Sequence, residues 1–261
     1  MGRNVLLLGS GEIGSYLKGR RNVVYKDFKT IKNVDVSLFS TVINCTFDPA
    51  YYDENKTLDK LFDEQIIQLA KDNKNVHFIF LSTRMIFGNS KLPFTELSPY
   101  NKNPISEYAR KKIILERKLK YFENITIVRL PNIISARTQR NRFFGMMLSS
   151  FKENNRLEFD FSLDEYREFV WANDVADFLL FLSNLNPIGP VNFSYVQKYT
   201  VREFVSIFTK VFGKCLCTEG RAESGLEFTF DTRFLMSVYP EIKHKQLEFA
   251  MEKIHQSWIK L

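Results

Sequence analysis

The sequence has few cysteines and no long run of apolar residues. Its three cysteines, Cys45, Cys215 and Cys217, are an odd number and lack the paired spacing of metal-binding motifs. This excludes a disulfide-rich miniprotein and argues against a metal site. The run from Val5 to Leu8 stops at Gly9, so it is too short for a signal-peptide core. Since no later run approaches the roughly 20 residues of a membrane span, we expect a cytoplasmic protein without a transmembrane segment.

Charge of one sign does not dominate the chain either. Lys and Arg number 37 against 30 Asp and Glu, a formal charge of +7, but the basic residues are scattered and form no long block. We therefore expect no nucleic-acid partner, only a general preference for anionic ligands. The 261 residues are 44% hydrophobic and 15% aromatic, which excludes a disordered chain and suffices for one domain, or a large lobe and a small one.

Short apolar runs alternate with longer amphipathic stretches along the first half of the chain. The runs are continuous rather than alternating and rich in β-branched or aromatic residues, as in parallel strands covered on both faces. The predicted strands are Asn4 to Leu8, Asn22 to Tyr25, Thr41 to Cys45, Val76 to Leu81 and Ile125 to Leu130. With helices predicted over residues 58–71 and 107–120, the fold class is α/β, with a doubly wound parallel sheet.

A glycine motif follows the first predicted strand directly. Gly9, Gly11 and Gly14 have the G-x-G-x-x-G spacing, with Glu12 and Ile13 inside the motif. Glycines at a strand-to-helix turn let the backbone approach a pyrophosphate, and the N–H groups at the start of the helix attract its charge. We therefore predict that these five residues bind a dinucleotide cofactor.

The end of the second predicted strand bears on which dinucleotide is bound. Asp27 could accept hydrogen bonds from the adenosine ribose, as expected for NAD. Lys26, Lys29 and the nearby Arg20 and Arg21 could instead hold the additional phosphate of NADP. The sequence leaves both cofactors open.

A tyrosine is followed four residues later by a lysine at four places, and one pair has a favourable context. Tyr108 and Lys112 lie in a predicted helix after a buried strand that ends in Ser82 and Thr83. At helical spacing the two side chains share a face, where the cation lowers the tyrosine pKa from its usual value of about 10. We predict hydride transfer to a carbonyl, with Thr83 bound to the substrate oxygen, Tyr108 as acid or base, and Lys112 also holding a cofactor ribose.

Six segments in a fixed order carry a resemblance to a known enzyme family. They are Gly9 to Gly14, Leu81 to Gly88, Pro104 to Lys112 with Glu116, Val128 to Asn132, Tyr166 to Ala176, and Gly189 to Phe193. Over nearly its whole length the chain resembles the extended short-chain dehydrogenases/reductases that act as NAD-dependent epimerases, dehydratases and reductases of nucleotide sugars. The resemblance implies a Rossmann domain over residues 1–133 and 167–184 and a substrate-binding lobe over residues 134–166 and 185–261.

The resemblance also assigns roles to individual residues. It places Thr83, Tyr108 and Lys112 in the family's catalytic triad, and Asn132 where the family contacts the sugar nucleotide. Arg167 and Arg221 match arginines that bind the substrate diphosphate, for which a bidentate guanidinium is well suited. Arg84, next to Thr83, is a further candidate for substrate binding. The family resemblance also implies a homodimer, formed through the helix that carries Tyr108, although Ile113, Ile114 and Leu119 of this helix could equally cover the sheet.

Departures from the family pattern narrow the reaction. Dehydratases of the family carry an Asp-Glu pair directly after the catalytic hydroxyl residue, where this chain has Arg84 and Met85. Neither residue can serve as that acid or base. We therefore predict an NAD(P)-dependent reductase of a nucleotide-linked 4-keto sugar. The alternatives are a 4-epimerase with tightly held NAD and, because of Leu8 and Glu12 in the glycine motif, a non-catalytic dinucleotide-sensing or scaffold protein.

Overall fold

A computed structural model describes residues 4–57, 59, 61–88, 90, 92–138, 142–220 and 227–260. In chain order its strands and helices are β1 (Val5–Leu8), α1 (Gly14–Leu17), β2 (Val23–Lys26), β3 (Thr41–Asn44), α2 (Phe62–Asp72), β4 (His77–Thr83), α3 (Glu107–Leu119), β5 (Ile125–Leu130), β6 (Asn132–Ile134), α4 (Phe143–Asn154), β7 (Arg156–Glu158), β8 (Tyr166–Arg167), β9 (Phe169–Trp171), α5 (Ala172–Leu185), β10 (Gly189–Asn192), α6 (Val201–Phe212), β11 (Leu216–Thr218), β12 (Glu227–Phe228), α7 (Arg233–Val238) and α8 (Leu247–Trp258). Single 3-10 turns at Pro49–Tyr52 and Arg84–Ile86 bear on the candidate site.

The described residues form two compact units. The first takes its residues from Met1–Gly88, Ser98–Leu130 and Val175–Val191, and the second from Asn89–Leu97, Pro131–Asp174 and Asn192–Leu261. The predicted division differs from these units in two ways. The described residues of 89–97, 131–133 and 167–174 fall in the second unit, where β9 pairs with β6, and residues 185–191 fall in the first.

A six-stranded sheet of order β10-β5-β4-β3-β1-β2 forms the centre of the first unit. Strands β1 to β5 pair in parallel, which confirms the five predicted strands and the doubly wound α/β fold. Strands β1, β3 and β5 are buried along their whole length, as continuous apolar runs require, whereas β2 at the edge alternates. The chain order reverses around β1, since β2 lies on one side of it and β3 on the other.

Helix α3 covers the sheet with one face and presents a charged face to solvent. Ile113 and Leu119 are buried, whereas Arg110, Arg117 and Lys118 are exposed and Ile114 is 36% exposed. On the buried face Glu116 forms an ion pair with Arg129 of β5 at 2.7 Å. The exposed face therefore offers little apolar surface, and the homodimer through this helix stays a prediction.

Aromatic residues build much of the core of the second unit. Phe144 of α4 packs edge-on against Phe204 and Phe208 of α6, and all three are fully buried. Helix α6 begins at a capping box in which Thr200 and Glu203 bond each other's backbone N–H groups. These phenylalanines are thus part of the core. Among the residues described, no helix is long and apolar enough to cross a membrane.

Candidate active site

Three loops of the first unit begin at the same edge of the sheet. Strands β1, β3 and β4 are parallel, with Leu8 opposite Asn44 and Asn44 opposite Phe80, so their carboxyl ends lie together. The glycine motif, Asn44 and Thr83 are therefore brought to one edge, beside the point where the strand order reverses. In open α/β sheets this edge is where ligands bind.

A side chain would meet different surroundings at each of the three motif glycines. Gly9 has a φ of +86°, and a Cβ there would lie 2.7 Å from the backbone of Cys45. A Cβ on Gly14 would lie 2.1 Å from the Gly9 carbonyl oxygen, so this glycine permits close packing of α1 against the turn. A Cβ on Gly11 would have nothing within 4 Å. Two glycines are thus required by the protein itself, and the third leaves backbone open to a ligand, as a pyrophosphate needs.

The remaining residues of the motif complete this turn. Ile13 is buried at the start of α1, and Glu12 is half-buried with its carbonyl accepting a bond of 3.1 Å from the Ser15 hydroxyl. Helix α1 is short, with four residues. Burial raises the pKa of the adjacent Cys45 thiol to about 12, so this cysteine is an inert packing residue.

Asp27 lies directly after β2, at the same edge of the sheet. Its carboxylate caps the 3-10 turn Phe28–Asn33 by accepting from the Lys29 backbone N–H at 2.9 Å, and it is exposed. An exposed carboxylate in this place fits a ribose ligand, and Lys26 beside it is also exposed. The choice between NAD and NADP is thus left open here too.

Thr83 is the last residue of β4 and is 9% exposed. Its hydroxyl oxygen caps the 3-10 turn Arg84–Ile86 by accepting from the Met85 N–H at 3.3 Å. Since that oxygen already accepts a bond, its own proton is available to donate to a substrate oxygen. Arg84 and Met85, at the positions of the dehydratase acid and base, are both half-buried in this turn.

Tyr108 lies in the first turn of α3, which Ser106 caps by accepting from the Ala109 N–H at 3.2 Å. Two tyrosines from the Pro49–Tyr52 turn contact its ring. Tyr51 approaches edge-on, with ring centroids 5.6 Å apart, and Tyr52 stacks on it at 5.3 Å with 19° between the planes. The ring that the sequence singled out is thus held on two sides.

Lys112 is buried, and its ammonium has partners that the sequence did not predict. It donates to the Leu81 carbonyl at 3.1 Å, lies 3.7 Å from an Asp63 carboxylate oxygen and stands 4.3 Å from the centroid of the Tyr51 ring. The lysine is therefore fixed to the end of β4, two residues before Thr83. Tyr51 contacts both Tyr108 and Lys112, so the structure brings the tyrosine–lysine pair together around one ring.

The carboxylate of Asp63 is the centre of a buried polar group that we call the Asp63 cluster, formed by Asn44, Tyr51, Asp63 and Lys112. The Asn44 amide donates to it at 2.6 Å, and the Tyr51 hydroxyl donates to its other oxygen. Burial, and then the neighbouring Asp63 charge, raise the pKa of Tyr51 well above its ordinary value, so Tyr51 stays protonated. The carboxylate also partly compensates the Lys112 charge.

The two described substrate-binding candidates beyond β5 belong to the second unit. The Asn132 amide donates to the Glu168 carbonyl at 3.1 Å, which places Asn132 next to the strand that follows Arg167. The Arg167 guanidinium pairs with Glu165 at 3.0 Å and covers the ring of Phe161 at 3.5 Å. Arg221 lies outside the described residues. Asn132 and Arg167 are thus neighbours, although Arg167 already has an acidic partner.

Solved structures of similar fold cover almost the whole chain. A dTDP-4-dehydrorhamnose reductase from Clostridium acetobutylicum is 17% identical, with a TM-score of 0.77 over 99% of this chain and 100% of that one. A UDP-N-acetylglucosamine 4-epimerase from Methanobrevibacter ruminantium is 16% identical, with a TM-score of 0.78 and coverages of 99% and 98%. A dTDP-glucose 4,6-dehydratase from Bacillus anthracis, solved with NAD, is 14% identical, with a TM-score of 0.79 and coverages of 99% and 96%. These likenesses show the fold, which all three reaction types share.

Sequence comparison gives a more specific result. No curated protein sequence matches the chain significantly. The model of the "NAD dependent epimerase/dehydratase family" matches residues 39–192, more than half of the chain. The chain therefore belongs to the NAD dependent epimerase/dehydratase family, which confirms the family, the enzyme and the nicotinamide dinucleotide expected from its motifs.

Proposed function

We propose that the chain is an NAD(P)-dependent reductase of a nucleotide-linked 4-keto sugar. The observation that supports a reductase over a dehydratase is the identity of the two residues after Thr83. A 4,6-dehydration needs an acid for the leaving hydroxyl and a base for the proton beside the ketone, and Arg84 and Met85 offer neither. The similar Clostridium structure is named as a reductase of dTDP-4-dehydrorhamnose, in keeping with this class of substrate.

The glycine motif supports a dinucleotide at this site. The open space at Gly11, together with the start of α1, suits a pyrophosphate, and the exposed Asp27 suits a ribose. When bound, the cofactor supplies the hydride that reduces the ketone carbon.

The residues at the ends of β4 and α3 would handle the oxygen and its proton. Thr83 donates a hydrogen bond that orients the ketone oxygen, and Tyr108 donates the proton that completes the alcohol. Lys112, fixed by the Leu81 carbonyl and Asp63, provides a positive charge that favours the phenolate left on Tyr108. This division of roles needs no residue beyond those placed near the Asp63 cluster and the end of β4.

Two residues of the second unit are proposed to bind the nucleotide part of the substrate. Arg167 would grip the diphosphate through its guanidinium, and the nearby Asn132 would contact the sugar nucleotide. A diphosphate would then compete with Glu165 for Arg167, since these two side chains are paired at 3.0 Å.

A 4-epimerase uses the same catalytic residues and remains the second candidate, because an epimerase is among the structures of similar fold. It oxidises and then reduces the sugar on the same cofactor, so it must retain NAD. The first experiment is therefore to denature freshly purified protein and identify released nucleotides by mass spectrometry. Stoichiometric NAD would favour the epimerase, whereas protein without nucleotide that is stabilised by NADH or NADPH would favour the reductase.

The catalytic assignment is tested by turnover of a nucleotide-linked 4-keto sugar, followed as consumption of NADH or NADPH. Tyr108→Phe removes the transferable proton and keeps the ring, so we expect a loss on the order of 10² or more in kcat. Tyr121→Phe is the matched control, because Tyr121 is an exposed tyrosine near the end of the same helix. Near-wild-type turnover of Tyr108→Phe would contradict the role of Tyr108.

A further inference from the structure

The Pro49–Tyr52 turn packs against the tyrosine that the proposed function makes catalytic. We propose that Tyr52 is a positioning residue that fixes the Tyr108 ring, and that Lys111 holds the turn in place for this purpose. The proposal rests on the proposed function, because positioning matters for a group that transfers a proton. It concerns two residues to which neither the sequence motifs nor the proposed mechanism assigns a role.

Two tyrosines restrict the Tyr108 ring from different directions. Tyr52 lies parallel to it, with 19° between planes and 5.3 Å between centroids, and Tyr51 meets it at 70°. An edge contact combined with a stacked contact limits rotation about both side-chain bonds of Tyr108. The direction of its hydroxyl group is thereby set before a substrate arrives. The stacked Tyr52 also covers one face of the ring, so a substrate must approach Tyr108 from elsewhere.

The difference in burial between the two tyrosines separates their roles. Tyr51 is 1% exposed and its hydroxyl bonds Asp63, as expected of a core residue. Tyr52 is 50% exposed, so much of its ring contributes little to the hydrophobic core. Its described ring contacts are with Tyr108 and with Phe47, whose centroid is 5.9 Å away. Of these two contacts, the one with Tyr108 is the closer and the more nearly parallel.

Lys111 connects α3 to the Pro49–Tyr52 turn through hydrogen bonds. Its side chain is 1% exposed, and burying an ammonium is costly unless its three N–H groups find acceptors. The acceptors are the carbonyls of Ala50, at 2.8 Å, and of Asp53, and the carboxylate of Glu107 lies 3.4 Å away. The two carbonyls flank Tyr51 and Tyr52 in sequence, so one buried cation fixes both ends of the segment that holds Tyr108.

Adjacent lysines on α3 therefore serve different partners. Neighbouring helical residues point about 100° apart, and here Lys112 reaches the end of β4 whereas Lys111 reaches the Pro49–Tyr52 turn. The same helical turn thus sets both the lysine beside Tyr108 and the aromatic segment around it.

The experiment compares three substitutions in the full chain, after wild type and Tyr108→Phe have established turnover. Tyr52→Leu removes the stacked ring, and we expect kcat to fall about 10-fold, because small misplacements of a reacting group are costly. The substrate and cofactor Kd values should stay within about 2-fold, since Tyr108 is displaced rather than removed. Tyr52→Phe keeps the ring and should have the kcat of wild type. Tyr121→Leu, at an exposed tyrosine elsewhere, should also leave kcat unchanged.

A double-mutant cycle tests whether Lys111 acts through the turn. Lys111→Met should lower kcat in the wild-type background and have little further effect in Tyr52→Leu, because both changes release the same ring. Lys118→Met on the exposed side of the same helix is the control. Additive losses would overturn the Lys111 part of the proposal. If Lys111→Met does not fold, the comparison of Tyr52→Leu with Tyr52→Phe still decides the role of Tyr52.

NMR spectroscopy tests the contact between Tyr52 and Tyr108 independently of turnover. With 13C at the tyrosine Cζ atoms, the Tyr108 resonance is identified by its absence in Tyr108→Phe. It should shift in Tyr52→Leu, through loss of the stacked ring, and stay in place in Tyr121→Leu. A shifted resonance with wild-type kcat would show that Tyr52 contacts Tyr108 but does not position it for catalysis. An unshifted resonance would overturn the stacking of Tyr52 on Tyr108. Absence of turnover in the wild type would instead count against the proposed function.

Discussion

Substitution of single motif glycines by alanine separates what the fold requires from what the cofactor requires. Gly11 and Gly14 look equivalent in the sequence motif, but their surroundings differ. A Cβ on Gly14 would lie 2.1 Å from the Gly9 carbonyl oxygen, whereas a Cβ on Gly11 would have nothing within 4 Å. We therefore expect Gly14→Ala to damage the fold and Gly11→Ala to damage dinucleotide binding alone.

The magnitudes follow from these distances. An ordinary contact between a carbon and an oxygen needs more than 3 Å, so at Gly14 the backbone must shift by about 1 Å. Overpacking of this kind costs about 1–3 kcal/mol or more. At Gly11 the change removes only the extra freedom that glycine has in the unfolded chain, so the free energy of unfolding should stay equal or rise by about 0.4–1 kcal/mol.

Urea denaturation followed by circular dichroism measures the first quantity, and fluorescence titration with NADH and NADPH measures the second. Gly11→Ala should unfold at the wild-type urea concentration or above it, with dinucleotide affinity at least about 10-fold weaker, because the new methyl group fills the space that the pyrophosphate needs. Wild-type affinity in a stable Gly11→Ala would refute the placement of the dinucleotide. Equal destabilisation of both variants would refute the packing argument.

Two further predictions concern charges outside the glycine motif. The Arg110 guanidinium beside Glu107 lowers the pKa of that carboxyl, so the pair stabilises the fold above the unfolded-state pKa of about 4.3 and loses this effect as pH falls below it. In thermal melts, Glu107→Gln should be less stable than wild type at pH 6 by at most about 1 kcal/mol, and this difference should disappear towards pH 3. The exposed Glu123→Gln should show no such trend. If Arg167 binds the diphosphate, Arg167→Ala should weaken nucleotide-sugar binding and Glu165→Gln should strengthen it by releasing the guanidinium, with dinucleotide affinity unchanged in both. Calorimetric titration of each ligand checks this, and an unaltered nucleotide-sugar Kd in both variants would leave Arg167 as a structural ion pair.

Much of the sheet was predictable because β1, β3 and β5 are buried along their whole length. Runs such as Val5 to Leu8 are typical of covered parallel strands, and each predicted strand was found within two residues of its expected ends. The glycine motif was predictable for a related reason, since its meaning comes from its position between a strand and a helix. The local sequence pattern was therefore enough to predict the strands and the glycine turn.

Asp63 was not predictable in this way. An acid in the first turn of a helix is usually a solvated residue that interacts with the helix dipole, and nothing near Asp63 in sequence marks it as buried. Its partners Asn44, Tyr51 and Lys112 come from β3, the following turn and α3, and only the fold brings them together. The one available signal was the place of Asn44 as the next-to-last residue of the predicted strand from Thr41 to Cys45.

The tyrosine–lysine motif shows where a local pattern stops being informative. Spacing on a helix places Tyr108 and Lys112 on one face, but it does not say what else surrounds the ammonium. The structure puts the Asp63 carboxylate 3.7 Å from it, and an opposite charge at that distance offsets part of the field that the lysine exerts on its other neighbours. If Tyr108 transfers the proton, its rate then depends less on the lysine charge than a bare Tyr-x-x-x-Lys motif suggests, and more on how firmly the ring is held. Lys111 and Tyr52, to which no motif assigns a role, are therefore the residues at which substitution should reveal how this site works.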